Sequence, residues 1–141
     1  ALGIAQLDKV EEIIEKKRHV ASELTDRLKD IRGISPPIMS EHVRDVFMHY
    51  MIQVDEDTFG VSRDLLVKAL NAENIQCRVY IPPIHLQPYY REKFGYEEGH
   101  LPITEATSKK VLTIPCAPNL ADNDIDDIIN AFYKIKNAYK D

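Results

Sequence analysis

The chain has 141 residues, 44% of them hydrophobic and 29% charged, and a formal net charge of −5. That size suits one domain able to bury a core of its own. The acidic balance, with no basic stripe to override it, excludes a nucleic-acid surface. No signal peptide and no long apolar span is visible, so the expected location is the cytoplasm, with no membrane partner. Cys77 and Cys116 make no CxxC, zinc spacing or disulfide framework and are expected to be buried free thiols. The opening Ala-Leu-Gly-Ile-Ala lacks Met and already lies in a helical pattern, as expected of a piece of something longer.

In chain order, Leu7, Val10, Ile14, Ala21, Leu24, Leu28 and Ile31 are spaced by threes and fours or their sums, which predicts one long helix. Lys17 interrupts the stripe, either by snorkelling or because the helix bends there. Gly33 and Pro36-Pro37 end the helix. Val46 to Val54 alternates as a strand, with Val46, Met48, Tyr50, Ile52 and Val54 on an apolar face. Phe47, His49, Met51 and Gln53 make a mixed face of the kind that packs against another domain or lines a cleft. Alone, His49 reads first as a half-buried histidine hydrogen-bonded to a neighbour.

Asp55-Glu56-Asp57 and Gly60 predict a turn. Ser62 is the N-cap of a helix carrying Leu65, Leu66, Ala69 and Leu70, and Asn74 suits a left-handed C-terminal position. A second strand is predicted over Ile75, Cys77, Val79 and Ile81, ended by Pro82-Pro83. Gln87 to Phe94 and Thr104 to Lys110 predict two short helices, and Val111 to Ile114 a third strand. The last helix carries Ile125, Ile128, Ile129, Phe132 and Ile135. Asp122 is its expected cap, and Lys134, Lys136 and Lys140 lie toward its negative end. The triplet Asp122, Asp124, Asp126 is no calcium loop, since Asp127 stands where Gly is needed and Tyr133 where Glu is. These elements predict a small α+β layer pair, a three-stranded sheet covered by helices on one face.

No complete catalytic set is present: there is no phosphate loop, G-x-S-x-G or metal-spaced His pair. A binding constellation remains in Ile75 to Tyr90. Arg78 offers a planar fork for phosphate or carboxylate, and Tyr80, His85 and Gln87 offer neutral donors for hydroxyls. Residue types leave a second reading open, with Arg78 paired to an acidic neighbour and His85 merely finishing the loop.

Several stretches carry a family resemblance. They are G-I-A-Q-L-D-K-V-E-E-I-I-E-K-K-R, then H-Y-M-I-Q-V from His49, then Y-I-P-P-I-H-L-Q-P-Y-Y, F-G-Y, L-P-I-T-E and V-L-T-I-P. In that order they resemble the C-terminal part of the DegT/DnrJ/EryC1/StrS sugar aminotransferases. The resemblance implies the C-terminal small domain of the aspartate-aminotransferase (PLP-dependent transferase type I) fold. Residues 1–33 would be the long linking helix from a large domain, and 34–141 the small α+β domain. It further implies pyridoxal 5'-phosphate as cofactor, a homodimer, and transfer of an amino group, commonly from glutamate, to the keto sugar of a nucleotide-sugar. Substrate contacts carry over to His85 and Tyr80, then Arg78, and also His49 and Gln87. The family's cofactor lysine lies in Ser-Phe-x-x-Lys, and none of the four phenylalanines here follows a Ser. This chain by itself is therefore expected to be inactive. Asn74, where many relatives have Gly, and Cys116-Ala117, where a bulkier pair is common, leave the subgroup open. A different class of function, a non-catalytic sugar-nucleotide-binding or dimerisation module of the same fold, would fit these residues too.

Overall fold

A computed structural model describes residues 2–80 and 82–139. Its elements are α1 (Leu2–Leu7), α2 (Val10–Leu28), β1 (Ile34–Ser35), β2 (Tyr50–Val54), α3 (Glu56–Phe59) and α4 (Arg63–Ala72). A 3₁₀ turn (Ile84–Leu86), α5 (Pro88–Phe94), α6 (Pro102–Lys110), β3 (Val111–Ile114) and α7 (Asp122–Ala138) follow. The sheet has the order β1-β2-β3 and is antiparallel throughout.

Alternation along the strands decides which face is covered. Tyr50, Ile52, Val54, Leu112 and Ile114 are buried, while Met51 and Gln53 on the opposite side of β2 are exposed. Onto the buried face come Leu24 and Leu28 of α2, Leu66 and Leu70 of α4, and the apolar stripe of α7 from Ile125 to Ile135. The Tyr50 hydroxyl meets Thr25 Oγ1 at 2.7 Å, and burial pushes that phenol's pKa up to about 12. The predicted three-stranded α+β layer pair is present. Among the described residues, no helix is long and apolar enough to cross a membrane.

The long helix is not continuous. It breaks at Asp8–Lys9, and its buried residues are confined to the second half of α2, Val20, Ala21, Leu24 and Leu28. Ile4 and Leu7 are 70% and 67% exposed, and Val10 and Ile14 are only half-buried, so burial along the stripe grows from its start toward Val20. α2 runs unbroken through Lys17. It ends at Leu28 with Lys29 as its C-cap, five residues before the expected stop at Gly33. Gly33, with φ +90° and an added Cβ that would lie 2.5 Å from the Phe59 backbone nitrogen, instead makes the turn into the sheet. Directly after it, Ile34–Ser35 forms an edge strand within what reads in sequence as loop.

Two predicted strands differ from the structure. The first starts at Tyr50 rather than Val46, because Phe47 takes φ +45°. That kink reverses the faces: Phe47 is buried, and Val46 and Met48 are exposed. The strand predicted over Ile75 to Ile81 reduces to one antiparallel bridge, Arg78 to Thr113. Its ladder groups are taken by a side chain, with Asn71 Nδ2 donating to the Cys77 carbonyl and the Cys77 N–H donating to Asn71 Oδ1, both at 3.1 Å. Ile75 and Cys77 are nevertheless buried as the alternation requires, and Ile81 lies outside the described residues.

Local signals elsewhere hold. Ser62 caps α4 by accepting from the Leu65 N–H, Asn74 has φ +63°, and Gly95 closes α5 in the left-handed region. Asp55 opens the short α3 by accepting from the Thr58 N–H. Asp122, expected to cap α7, is instead its first helical residue. Asp124 takes the capping role by accepting from the Ala121 N–H at 2.9 Å. Lys134 pairs with Glu73, Lys136 donates to the Arg32 carbonyl, and Lys140 lies outside the described residues. Cys77 is buried and Cys116 half-buried. Desolvation pushes the Cys77 thiol up to about 12 and raises that of Cys116.

Candidate functional site

The uncovered face of the sheet is a row-by-row consequence of register. Met51 pairs with Thr113, and Thr113 bridges to Arg78, so these three side chains share one row and one face. The Arg78 N–H donates to the Thr113 carbonyl at 3.2 Å, and the Thr113 N–H donates back at 2.8 Å. His49 and Tyr80 stand two residues from Met51 and Arg78, toward opposite ends of β3 by register, and it is their side chains that close the distance. Their rings meet edge to face, 5.2 Å between centroids. His49, Arg78 and Tyr80 are all exposed, and no described residue forms an ion pair with the Arg78 guanidinium. Three of the five predicted contact residues are therefore brought together with their polar atoms open to a ligand.

The other two lie differently. His85 is 6% exposed and is the buried polar residue of the described chain. Its Nε2 lies 2.9 Å from Glu105 Oε1, and Tyr96 stands edge-on to the ring. Gln87 is half-buried, its amide directed to the Pro82 carbonyl at 3.5 Å. Both look inward to the turn that follows the prolines. Between this turn and the open face runs a groove of about 250 Å³, lined by Tyr80, Pro82, Pro83, Leu86, Glu105 and Lys109, among others.

Glu105 escapes sequence reasoning, which treats carboxylates as solvated or capping. It does cap α6, accepting from the Leu101 N–H at 3.1 Å, but it also accepts from the Gly99 N–H at 2.8 Å and bonds His85. The Gly99 amide first, then His85, hold its carboxyl well below the usual range, at about 2. The signal was its place in L-P-I-T-E, one turn into a helix with a Pro at its start. Arg63 is the second missed residue. Its guanidinium donates to the carbonyls of Ser108 at 3.0 Å and Val111 at 2.8 Å, tying α4 to the junction of α6 and β3.

The pyridoxal phosphate implied by the resemblance needs a lysine able to form an imine in a sheltered pocket. Every described lysine is exposed or at most half-buried, and Ser-Phe-x-x-Lys is absent from the chain. The residues present do not make that site, and among them no His, Cys, Asp and Glu cluster could hold a metal. What the face can do is bind: a forked cation, a phenol and an imidazole aligned beside a groove suit a phosphorylated, hydroxyl-rich ligand.

The model of the DegT/DnrJ/EryC1/StrS aminotransferase family matches residues 1–133. The spore coat polysaccharide biosynthesis protein SpsC of Bacillus subtilis (strain 168) is 33% identical over 132 residues, covering 93% of this chain and 34% of that protein. Among solved structures, DesI in the presence of its TDP-sugar product superposes with a TM-score of 0.82 at 27% identity. It covers 95% of this chain and 34% of that one. The PLP form of the putative sugar aminotransferase Spr1654 of Streptococcus pneumoniae shares the fold, with a TM-score of 0.85 at 22% identity over 99% of this chain and 35% of that one. The chain thus spans about a third of the length of the proteins it matches. On this evidence the chain belongs to the DegT/DnrJ/EryC1/StrS aminotransferase family.

Proposed function

We propose that this chain is the C-terminal small domain of a pyridoxal-phosphate-dependent aminotransferase. The parent enzyme moves an amino group from glutamate to the keto sugar of a nucleotide-sugar, in the cytoplasm and as a homodimer. The observation that carries the reading is the open sheet face, where Arg78, Tyr80 and His49 stand together in a chain of this family. In this reading Arg78 grips the diphosphate through its fork, and Tyr80 and His49 donate to or accept from sugar hydroxyls. His85 and Gln87 serve the same wall, shaping the turn that follows Tyr80. The cofactor supplies the amino-transfer chemistry from a large domain outside this chain, and the domain described here orients the sugar and shields it from water.

The test uses the full-length parent enzyme. Arg78→Ala is expected to weaken nucleotide-sugar binding by about tenfold or more, the loss of a charge-assisted hydrogen-bond pair. His85→Ala is expected to weaken it through the turn. Affinity within about threefold of wild type for both variants would show that the wall does not touch substrate. Expressed alone, this chain is expected to transaminate nothing, and measurable turnover by it would refute the assignment of the chemistry elsewhere.

A further inference from the structure

Among the described residues, the span from Arg78 to His85 is bonded at its two ends, and between them the Tyr80 ring meets His49 and the Pro82 carbonyl accepts from Gln87 at 3.5 Å. At one end the Arg78 backbone makes its bridge to Thr113, with the Thr113 hydroxyl adding a contact of 3.2 Å to the Arg78 carbonyl. At the other, His85 is bonded to Glu105. Val79, Tyr80 and Ile84 are 46%, 41% and 61% exposed, so apolar burial does little to hold these three side chains. Pro82 and Pro83 restrict the backbone beside the turn and line the same groove as Tyr80, so a shift of the turn changes the wall that Tyr80 faces.

Glu105 joins that second tether to a third piece of chain. One oxygen accepts from His85, Gly99 and Leu101, and the other accepts from Gly99 at 2.8 Å. The His85 and Glu105 side chains are 6% and 13% exposed, so water is a poor substitute acceptor for the His85 ring when the carboxylate goes. Glutamine cannot substitute fully. Its NH₂ would face either the Gly99 N–H or the Leu101 N–H, leaving a donor against a donor.

We infer that Glu105 is the positioning residue of the substrate wall: its bond to His85 sets where the turn from Pro82 to Leu86 lies and hence the shape of the groove in which Tyr80 meets the nucleotide-sugar. This rests on the open face being that wall. It adds a residue that does not itself touch substrate.

The experiment uses the full-length enzyme, with nucleotide-sugar binding measured by calorimetry and amide hydrogen exchange read by mass spectrometry. Glu105→Gln is expected to weaken binding about tenfold, the scale of a contact displaced by a fraction of an ångström. Exchange should rise only across residues 79–101, with the core peptides of α2, β2 and α7 unchanged. Glu105→Asp, which keeps the charge but draws the carboxylate back by one methylene from His85, Gly99 and Leu101, is expected to weaken binding about as much, and it carries the test if the Gln variant does not fold. Binding by Glu105→Gln equal to wild type, or exchange rising through the core as well, overturns the inference. Wild-type enzyme with no affinity for any nucleotide-sugar overturns the substrate reading itself, and the positioning role with it.

Discussion

The two halves of this molecule are held by different forces. The α2, α4 and α7 layer is held to the sheet by apolar burial: α7 alone buries Ile125, Ile128, Ile129, Ala131, Phe132 and Ile135. The arm from Pro82 to Lys110 has helices too, yet α5 and α6 bury no residue at all. Tyr89, Phe94 and Ile103 are 58%, 58% and 82% exposed there. The arm is located instead by polar tethers, Arg63 on two carbonyls and Glu105 on two amides and an imidazole. Apolar burial is non-directional and tolerant of small shifts, whereas hydrogen bonds specify direction. A region that must present side chains at set angles benefits from the second kind of restraint.

That contrast can be broken most sharply by trimming one ring in each half. Phe132 is fully buried, packed edge-on to Phe59, and Phe132→Ala is expected to cost about 3–5 kcal/mol in chemical unfolding. Phe94→Ala, in the arm, is expected to stay within about 0.5 kcal/mol. Equal losses would mean that the arm is part of the core after all. A smaller effect is expected from Arg63→Met, which keeps the apolar stem but leaves the Ser108 and Val111 carbonyls without their donor. It should cost about 1–3 kcal/mol and loosen the arm first, as local amide exchange would show. The smallest effect is on pH. The Glu105 carboxyl titrates near 2 when folded, against an ordinary 4.5. A depressed acid contributes stability above its unfolded value, and loses it as pH falls from about 4.5 toward 2. The Gly99 and Leu101 amide resonances should follow that low transition, and a midpoint near 4.5 would show that the clamp is not formed.

Much of this was legible in the sequence for a local reason. Ser62, Asn74, Gly95 and the α7 stripe each report on their own neighbours within a turn or two, so pattern and capping chemistry suffice. The errors share a cause as well. At Cys77 a side chain from the preceding helix took the groups a strand would have used. At Phe47 a positive φ in a bulky residue moved the strand's start, and nothing in the alternation reports a dihedral. Ile34–Ser35 became a strand only because β2 offers it an edge.

The site divides in the same way. Residue types and order in I-Q-C-R-V-Y-I-P-P-I-H-L-Q determined that a cation, a phenol and an imidazole gather near one strand end, and motif order determined the family. Tertiary structure alone decided which of them face outward. Register set Arg78 in one row with Thr113 and Met51, and the folded chain brought His49 to Tyr80, whereas a carboxylate twenty residues downstream turned His85 inward. A sequence states which groups are available. Which of them remain unpartnered depends on hydrogen bonds between distant segments, and only the folded chain has made those.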